Sequence, residues 1–180
     1  MSDKAARFAK LVTKHRHALL RYGLRRLPDN TMVEDLVAET FIVAWRKWDQ
    51  IPSSDEELFW LYGVAGRILS NLRRSEYRQL RLQGRLSLER EQVSDTSTFS
   101  PVDLEELLQA LGGLSPSERE ILQLTYWERL SYREISLALG CSENAVGVRL
   151  TRARQSLRVL LTAPFATITQ LDEVREENGS

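Results

Sequence analysis

The sequence of 180 residues is poor in the side chains that bind metals or cross-link a chain. It holds one cysteine, Cys141, and two histidines, His15 and His17. A single cysteine cannot form an internal disulfide, and a zinc site needs about three or four suitably spaced Cys, His or carboxylate ligands. We therefore predict no metal, no disulfide and a reducing, cytoplasmic location. The two histidines lie two positions apart and do not share a helical face, so we interpret both as solvated.

Long apolar runs and catalytic motifs are also missing from the sequence. No stretch approaches the roughly 20 apolar residues of a membrane span, and the N-terminus lacks the apolar core of a signal peptide. The sequence shows no phosphate-cradling glycine loop, nucleophile constellation or metal cluster, so we predict a protein that is not an enzyme and needs no cofactor. Gly63 and Gly66 lie within an apolar helical pattern, which favours close helix packing over a phosphate site.

The formal net charge of zero argues against a simple polybasic binder, but the charges are unevenly placed. Residues 1–30 carry eight basic and two acidic side chains, whereas residues 144–163 carry four arginines and no acid. Physiological salt confines the field of each block to about 8–10 Å. The pattern therefore suggests separate faces for separate partners.

Apolar side chains recur every three or four positions through most of the chain, which predicts an all-α fold. In residues 83–100 this periodicity fades into a polar run that is typical of a flexible linker. We predict two small helical domains, an N-terminal bundle of three to four helices in residues 1–82 and a C-terminal four-helix domain in residues 101–162. A short acidic tail follows in residues 163–180.

Capping signals predict where several helices begin. Ser115 and Ser131 each have a glutamate three residues later, which is the spacing of a capping box. The same spacing places the start of the second helix at Thr31. The apolar stripe of that helix includes Trp45 and Trp48, so we interpret both tryptophans as core residues.

Residues 130–161 combine a short helix, a glycine turn and a longer helix. Ile135 on the short helix faces Val146 and Leu150 on the longer one, which supplies the apolar contact between them. Gly140 can take the positive φ that a tight turn between two helices needs. This arrangement predicts a helix-turn-helix.

The outer face of the longer helix is polar and basic. Arginine pairs with phosphate or with the major-groove edge of guanine, asparagine pairs with adenine, and a helix N-terminus offers backbone donors to phosphate. We therefore predict that this face binds DNA; an amphipathic bundle helix with solvated arginines is the alternative. The candidate residues are Ser142, Glu143, Asn144, Gly147, Val148, Arg149, Arg152 and Arg154.

Two groups of short motifs stand on either side of the predicted linker. The later group is LSP and ERE within 114–120, LSYREI at 130–135, ALG at 138–140 and RLTRAR at 149–154. The earlier group is EDLV at 34–37, ETF at 39–41, AW at 44–45 and FWLY at 59–62. Together they resemble the −35 and −10 domains of bacterial sigma factors of the extracytoplasmic function (ECF) group. The resemblance covers roughly residues 5–162, in the right order.

The resemblance implies a subunit that binds core RNA polymerase and directs promoter-specific transcription initiation. It implies that the second helix docks on polymerase, that the third helix and the loop Gln50–Asp55 capture the melted −10 strand, and that the helix-turn-helix binds the −35 element. It also implies an anti-sigma factor as a partner. The polymerase candidates are Asp35, Leu36, Ala38, Glu39, Ile42 and Arg46, and the −10 candidates are Trp60, Arg67, Asn71, Arg74 and Arg78.

Two alternatives stay open at the level of the residues. One is a two-domain helix-turn-helix regulator that binds operators unaided, and the other is a helical scaffold that binds only proteins. Trp60 stands where primary sigma factors carry adjacent tryptophans, and it can be a wedge or a core residue. Arg67 and the pair Gly147-Val148 depart from residues common in the family, so promoter sequences cannot be transferred to this chain.

Overall fold

The computed structural model describes residues 3–52, 55–82 and 101–162. The predicted linker, the acidic tail and the loop residues Ser53 and Ser54 lie outside the described residues. Within the described helices, side chains are not described for 73–82, 101–105, 108 and 162.

Seven α-helices and one short 3₁₀ turn form the regular structure of the described residues, and no strand occurs among them. The prediction of an all-α fold is therefore confirmed. The helices are α1 (Asp3–Leu24), α2 (Asn30–Arg46), α3 (Glu57–Leu82), α4 (Pro101–Gly113), α5 (Pro116–Tyr126), α6 (Tyr132–Leu139) and α7 (Glu143–Thr162), with the 3₁₀ turn at Trp48–Gln50.

Helices α5 and α6 begin at the predicted capping boxes. The hydroxyl of Ser115 accepts a hydrogen bond from the backbone N–H of Glu118 at 3.4 Å, and that of Ser131 accepts one from Glu134 at 3.3 Å. Each glutamate in turn accepts a hydrogen bond from the backbone N–H of its serine. Each box satisfies two helix-terminal donors, which confirms both predictions.

Helix α2 begins one residue before the predicted start at Thr31. The side chain of Asp29 accepts a hydrogen bond from the backbone N–H of Thr31 at 2.7 Å, so Asp29 is the N-cap and Asn30 is the first helical residue. The prediction was wrong because Asp is at least as good a cap as Thr.

Helices α1, α2 and α3 pack against one another as an N-terminal bundle. Its centre includes Leu19, Leu36 and Leu61, none more than 1% exposed. Burying each of these leucines contributes roughly 1.5–3 kcal/mol. The rings of Tyr22 and Tyr62 stack beside them, with centroids 5.0 Å apart.

Two side chains of this bundle differ from the predictions. His15 is buried, not solvated, because it lies on the inner stripe of α1 with its Nε2 2.9 Å from Oε2 of Glu57, whereas His17 is exposed as predicted. Burial opposes the charge of Glu57, but hydrogen bonds with His15 and from Lys14 hold its pKa below the ordinary value. Trp45 is 41% exposed, so its assignment to the core was also wrong. Its ring rests edge-on against Phe8 at the rim of the bundle.

Helices α4, α5 and α6 all contact α7, which forms the centre of the C-terminal unit. Ile135, Val146 and Leu150 are fully buried between α6 and α7. Gly140 ends α6 with φ of 63°, in the left-handed region that glycine adopts at low cost. The apolar skeleton and the turn of the predicted helix-turn-helix are therefore present.

The N-terminal bundle and the C-terminal unit pack on each other through α3 and α6. Their buried apolar side chains form one continuous cluster. A Cβ atom at Gly63 would lie 2.1 Å from the backbone oxygen of Ala138, so glycine is required for this close approach. The predicted close packing at Gly63 thus occurs between the two halves. The domain boundaries stay a prediction.

No helix within the described residues combines the length and the apolarity needed to cross a lipid bilayer. In the same part of the chain, no three His, Cys, Asp or Glu side chains converge as metal ligands would.

Candidate nucleic-acid and partner interfaces

Helix α7 exposes the face that the sequence predicted for DNA. Val146, Leu150 and Ala153 point into the core with no exposed surface, which turns the opposite side of the helix outward. The candidates on that side are exposed, with the exception of the half-buried Gly147. The exposed set is Ser142, Glu143, Asn144, Val148, Arg149, Arg152 and Arg154.

The N-terminus of α7 is capped from within the chain. The hydroxyl of Ser142 accepts a hydrogen bond from the backbone N–H of Ala145 at 3.2 Å. The other first-turn N–H groups have no partner inside the helix and can donate to a phosphate. Glu143 stands in the same turn, and its charge would repel a phosphate there. As a DNA contact, Glu143 suits a cytosine amino group better.

A shallow groove runs along the exposed face of α7. It is lined by side chains of both helices of the motif, namely Tyr132, Asn144, Gly147, Val148, Thr151 and Arg152. Two of these residues were not predicted from the sequence, namely Thr151 and Tyr132, which is 43% exposed at the start of α6. A Cβ at Gly147 would lie 3.5 Å from Cε2 of Tyr132, an ordinary contact. Sterics in the free chain therefore do not demand glycine at position 147.

The arginines of α7 have different surroundings. Nε of Arg154 donates to the hydroxyl of Tyr126 at 2.9 Å, and its guanidinium lies 5.6 Å from the centroid of that ring. Among the described residues, no carboxylate lies within ion-pair distance of Arg149 or Arg152. These two guanidinium groups are therefore available to an anionic partner.

The −10 candidates lie along α3, and the structure describes three of their side chains. Arg67 and Asn71 are exposed one turn apart, and Nε of Arg67 donates to the backbone oxygen of Gly63 at 2.9 Å. Trp60 is half-buried and packs against the core. Arg74 and Arg78 belong to α3, but their side chains lie outside the described residues.

The polymerase candidates form an exposed strip on α2, apart from one residue. Leu36 is 1% exposed in the core of the bundle, so its side chain cannot contact a partner, and its assignment was wrong. Ile42 is 49% exposed, and Trp45 extends its apolar surface. Trp45 was not among the predicted residues, because its helical spacing indicated a core position. The exposed candidates are Asp35, Ala38, Glu39, Ile42 and Arg46.

A buried polar cluster that was not predicted from the sequence joins the two halves. Arg26, just after α1, donates from Nη1 to Glu128 at 2.8 Å and from Nε to Glu120 at 3.3 Å. The hydroxyl of Tyr22 donates to Glu120 at 2.7 Å. Burial, followed by the charge of Glu120, raises the pKa of Tyr22 well above its ordinary value, so the hydroxyl stays protonated. Arg26 belongs to the basic block of residues 1–30, but no sequence pattern identified its acidic partners.

Two families match separate parts of the chain. Sigma-70 region 2 matches residues 11–79, which include α2 and most of α3. Sigma-70, region 4 matches residues 104–157, which include the helix-turn-helix.

Whole-chain relatives agree with these matches. The RNA polymerase sigma factor NccH of Alcaligenes xylosoxydans is 32% identical over 164 residues, covering 86% of each chain. The ECF RNA polymerase sigma factor SigL of Mycobacterium tuberculosis is 31% identical over 160 residues, covering 88% of this chain and 90% of SigL. The chain belongs to the ECF sigma factors. This ECF sigma factor directs transcription initiation by RNA polymerase, as the sequence motifs predicted.

A solved structure supports the fold of this ECF sigma factor over most of its length. It is that of CnrH in complex with the cytosolic domain of CnrY; CnrH is a sigma factor of Cupriavidus metallidurans. The two chains are 28% identical, 86% of each is covered, and the TM-score is 0.58. The arrangement of helices is therefore one that a sigma factor adopts.

Proposed function

We propose that this ECF sigma factor binds two separate elements of one promoter while it is bound to core RNA polymerase. Residues 1–82 act as the polymerase and −10 module, and residues 101–162 act as the −35 module. Catalysis of RNA synthesis belongs to the polymerase, so the chain needs no active site or cofactor. It acts in the cytoplasm.

The observation that carries this proposal is the exposed face of α7. Arg149 and Arg152 project from it with no carboxylate within ion-pair distance among the described residues. Asn144 and Val148 lie beside them in the groove, where an amide can read adenine and a branched apolar side chain can touch a thymine methyl. Tyr132 adds a hydroxyl group that can donate to phosphate, whereas the hydroxyl of Thr151 already donates to the backbone oxygen of Gly147 at 2.9 Å. This combination suits the major groove at the −35 element.

The −10 element is assigned to the exposed stripe of α3. Asn71 can read the edge of an unstacked base, and Arg67 can hold the phosphates of the same strand. We assign Trp60 mainly a structural role, because its side chain is half-buried and packs against the core. We also assign Arg74 and Arg78 to this site, because their positions in the sequence continue the same stripe. We assign the loop before α3 as the pocket for a base flipped out of the stack.

Core polymerase is assigned to the exposed strip of α2. Ile42 and Trp45 offer adjacent apolar surface, and Asp35, Glu39 and Arg46 surround it with charge. An apolar centre with a charged rim is the usual anatomy of a protein interface. By analogy with CnrH, which binds the cytosolic domain of CnrY, an inhibitory partner protein is a further expected ligand.

Reconstitution with core polymerase tests this function. The purified chain is mixed with bacterial core polymerase and assayed by co-purification and run-off transcription on promoters mapped from transcript 5′ ends after overexpression. We expect a complex that initiates only on those promoters. A stand-alone regulator would instead bind the same DNA tightly without polymerase, and a protein scaffold would bind no DNA; either result rejects the proposal.

A matched pair of variants localises the polymerase contact. Ile42→Asp places a charge at the centre of the α2 strip, whereas Leu161→Asp makes the same change at a similarly exposed apolar residue of α7. We expect Ile42→Asp to weaken polymerase binding by roughly tenfold or more, as loss of an interface anchor does. Leu161→Asp should leave polymerase binding unchanged. Equal effects of the two substitutions would refute the assignment.

A further inference from the structure

Tyr126 is a large aromatic residue that the fold leaves in contact with water. It ends α5 and is 56% exposed, whereas Ile121, Leu122 and Leu124 of the same helix are buried. Tyr126 has no role in the −35, −10 or polymerase contacts assigned above. A single exposed apolar residue is common on protein surfaces, so its exposure alone assigns nothing. Its contact with α7 is the informative observation.

Tyr126 holds the side chain of Arg154 by two contacts. Nε of Arg154 donates to the hydroxyl of Tyr126 at 2.9 Å, and the guanidinium carbon lies 5.6 Å from the centroid of the ring. Both residues are exposed, so the pair stands on the surface. A guanidinium held through Nε keeps the N–H donors of both Nη groups for other acceptors. Tyr126 therefore restricts a long side chain without using those donors.

The hydroxyl of Tyr126 can act as a second donor at the same place. A phenol hydroxyl both accepts and donates, and because this one accepts from Nε, its own hydrogen stays available for a further acceptor. Among the described residues, no carboxylate lies within ion-pair distance of Arg154. An O–H donor beside a guanidinium suits an oxyanion with several acceptor oxygens, as a phosphate has.

The pair lies beside the groove that we assign to DNA. Gly147 lies next to Tyr132 in that groove, seven positions before Arg154. Seven residues make two helical turns within about 20°, so positions 147 and 154 share one side of α7, about 10 Å apart. In helix-turn-helix proteins the first helix crosses the DNA backbone while the second lies in the major groove. The side of α7 next to Tyr132 of α6 therefore faces backbone phosphates.

We propose that Tyr126 and Arg154 form a clamp for one phosphate of the DNA backbone that borders the −35 element. Tyr126 both donates to that phosphate and positions Arg154. The clamp rests on the proposed function of α7 and adds Tyr126 to its DNA contacts. Because phosphate contacts fix the register of a protein on DNA and carry no sequence information, the clamp should contribute alike on every promoter.

Promoter DNA with single uncharged linkages tests the clamp. The full-length chain in complex with core polymerase binds a promoter mapped from transcript 5′ ends, in which one phosphate at a time around the −35 element is replaced by a methylphosphonate. We expect the original chain to lose about threefold to tenfold in affinity at the clamped phosphate, as loss of one hydrogen bond does. With Tyr126→Phe or Arg154→Gln, the same replacement should cost little, while its cost at other phosphates stays.

The two variants separate the hydroxyl from the charge. Tyr126→Phe removes the hydroxyl and keeps the ring beside the guanidinium, so it should weaken binding with little change in salt dependence. Arg154→Gln should also lower the salt dependence by about one charge. Arg16→Gln, at an exposed arginine of α1, is the matched control and should change neither quantity. Thermal unfolding should change little in all three, because surface substitutions are usually near neutral.

The double variant measures whether the two residues hold the same phosphate. If they do, its loss of affinity should be smaller than the product of the two single losses. Losses that multiply, or an equal cost at the same phosphate in every variant, would overturn the clamp. Weakening by Tyr126→Phe at all phosphates alike, with lower thermal stability, would show a structural role only and would also overturn it.

Two further outcomes reject the clamp for different reasons. Unchanged DNA binding by both single variants would overturn it and would direct attention to an acidic protein partner, while the −35 function would stand. Failure of the original chain to bind the promoter with core polymerase would reject the proposed function, and the clamp with it. The result for the original chain therefore distinguishes the two failures.

Discussion

Arg26 and the pair Arg149 and Arg152 carry the same guanidinium group in opposite surroundings. The side chain of Arg26 is fully buried between the halves and bonded to Glu120 and Glu128. Arg149 and Arg152 are exposed, with no carboxylate within ion-pair distance among the described residues. The difference shows that a basic residue indicates a binding site for an external anion only when the fold itself supplies no carboxylate partner for it.

The same comparison separates two energetic roles. A buried ion pair stabilises little relative to an apolar pair, but it is costly to break from one side, so it specifies an arrangement. An exposed arginine contributes little to stability and keeps its binding capacity for phosphate or guanine. Substitutions at the two places should therefore affect different measurements.

The largest effect is expected at the exposed pair. Arg149→Ala with Arg152→Ala should weaken binding of the polymerase complex to promoter DNA by about 2–6 kcal/mol, because each base-reading arginine contributes about 1–3 kcal/mol. A phosphate contact would instead lower the salt dependence by about one charge. The measurement is a salt titration of promoter binding, with the exposed Arg16→Ala of α1 as control. Undiminished promoter binding by the double variant would contradict the assignment of the exposed face of α7 to DNA.

The next effect is expected at the buried arginine. Arg26→Ala removes the shorter of the two ion pairs of the buried Glu128 and leaves only Arg25, at 3.4 Å, so the cost should approach the roughly 3–5 kcal/mol of a broken buried pair. We expect a lower free energy of unfolding in urea, with binding of the polymerase complex to the −35 element unchanged because the DNA-facing side of α7 is exposed and does not contact Arg26. If Arg26→Ala instead weakened binding to the −35 element and left the free energy of unfolding unchanged, Arg26 would have a DNA-binding role and not a structural one, which would contradict the comparison.

A smaller effect is expected at the cap of α5. Hydrogen bonds from Ser115 and Ser156 hold the pKa of Glu118 below its ordinary value near 4.5. Glu118→Ala should therefore cost about 1 kcal/mol of stability at neutral pH, as loss of a helix cap does. Because the folded pKa is depressed, this contribution is complete above pH 4.5 and is lost as the pH falls through the folded value. Urea unfolding of Glu118→Ala and the original chain should therefore show a difference at pH 7 that shrinks as the pH is lowered below 4.5.

The smallest effect is expected at Arg133, the exposed counterpart of Arg26 in the same contact. Its side chain is 73% exposed where it meets Glu56. Surface ion pairs contribute less than about 1 kcal/mol, so Arg133→Ala should change stability by about 0.5 kcal/mol or less. Thermal unfolding of Arg133→Ala and of Arg26→Ala under the same conditions measures the ratio of the two losses of stability. Similar losses for the two arginines would show that burial does not separate them.

Local signals explain how much of the fold was predictable. The capping boxes at Ser115 and Ser131 and the turn at Gly140 depend on residues within a few positions, so their patterns predicted them correctly. The exposed face of α7 followed from the spacing of Val146 and Leu150. The residues of the predicted α2 strip are exposed apart from Leu36, which shares the helix but faces inward.

The interface between the halves was not predictable in the same way. Arg26 and Glu128 are 102 positions apart, and no periodicity links two such residues. His15 was read as solvated because its partner Glu57 belongs to another helix. Trp45 was read as core because helical spacing does not show where a bundle ends.

Site-specific photo-cross-linking within the polymerase–promoter complex tests the central claim most directly. A photoreactive side chain is placed at Val148 of α7 in one protein and at Asn71 of α3 in another, and the linked nucleotides are mapped. The account predicts that position 148 cross-links at the −35 element and position 71 at the −10 element of the same promoter. Cross-links from both positions to one element, or from neither while polymerase and DNA are bound, would contradict it.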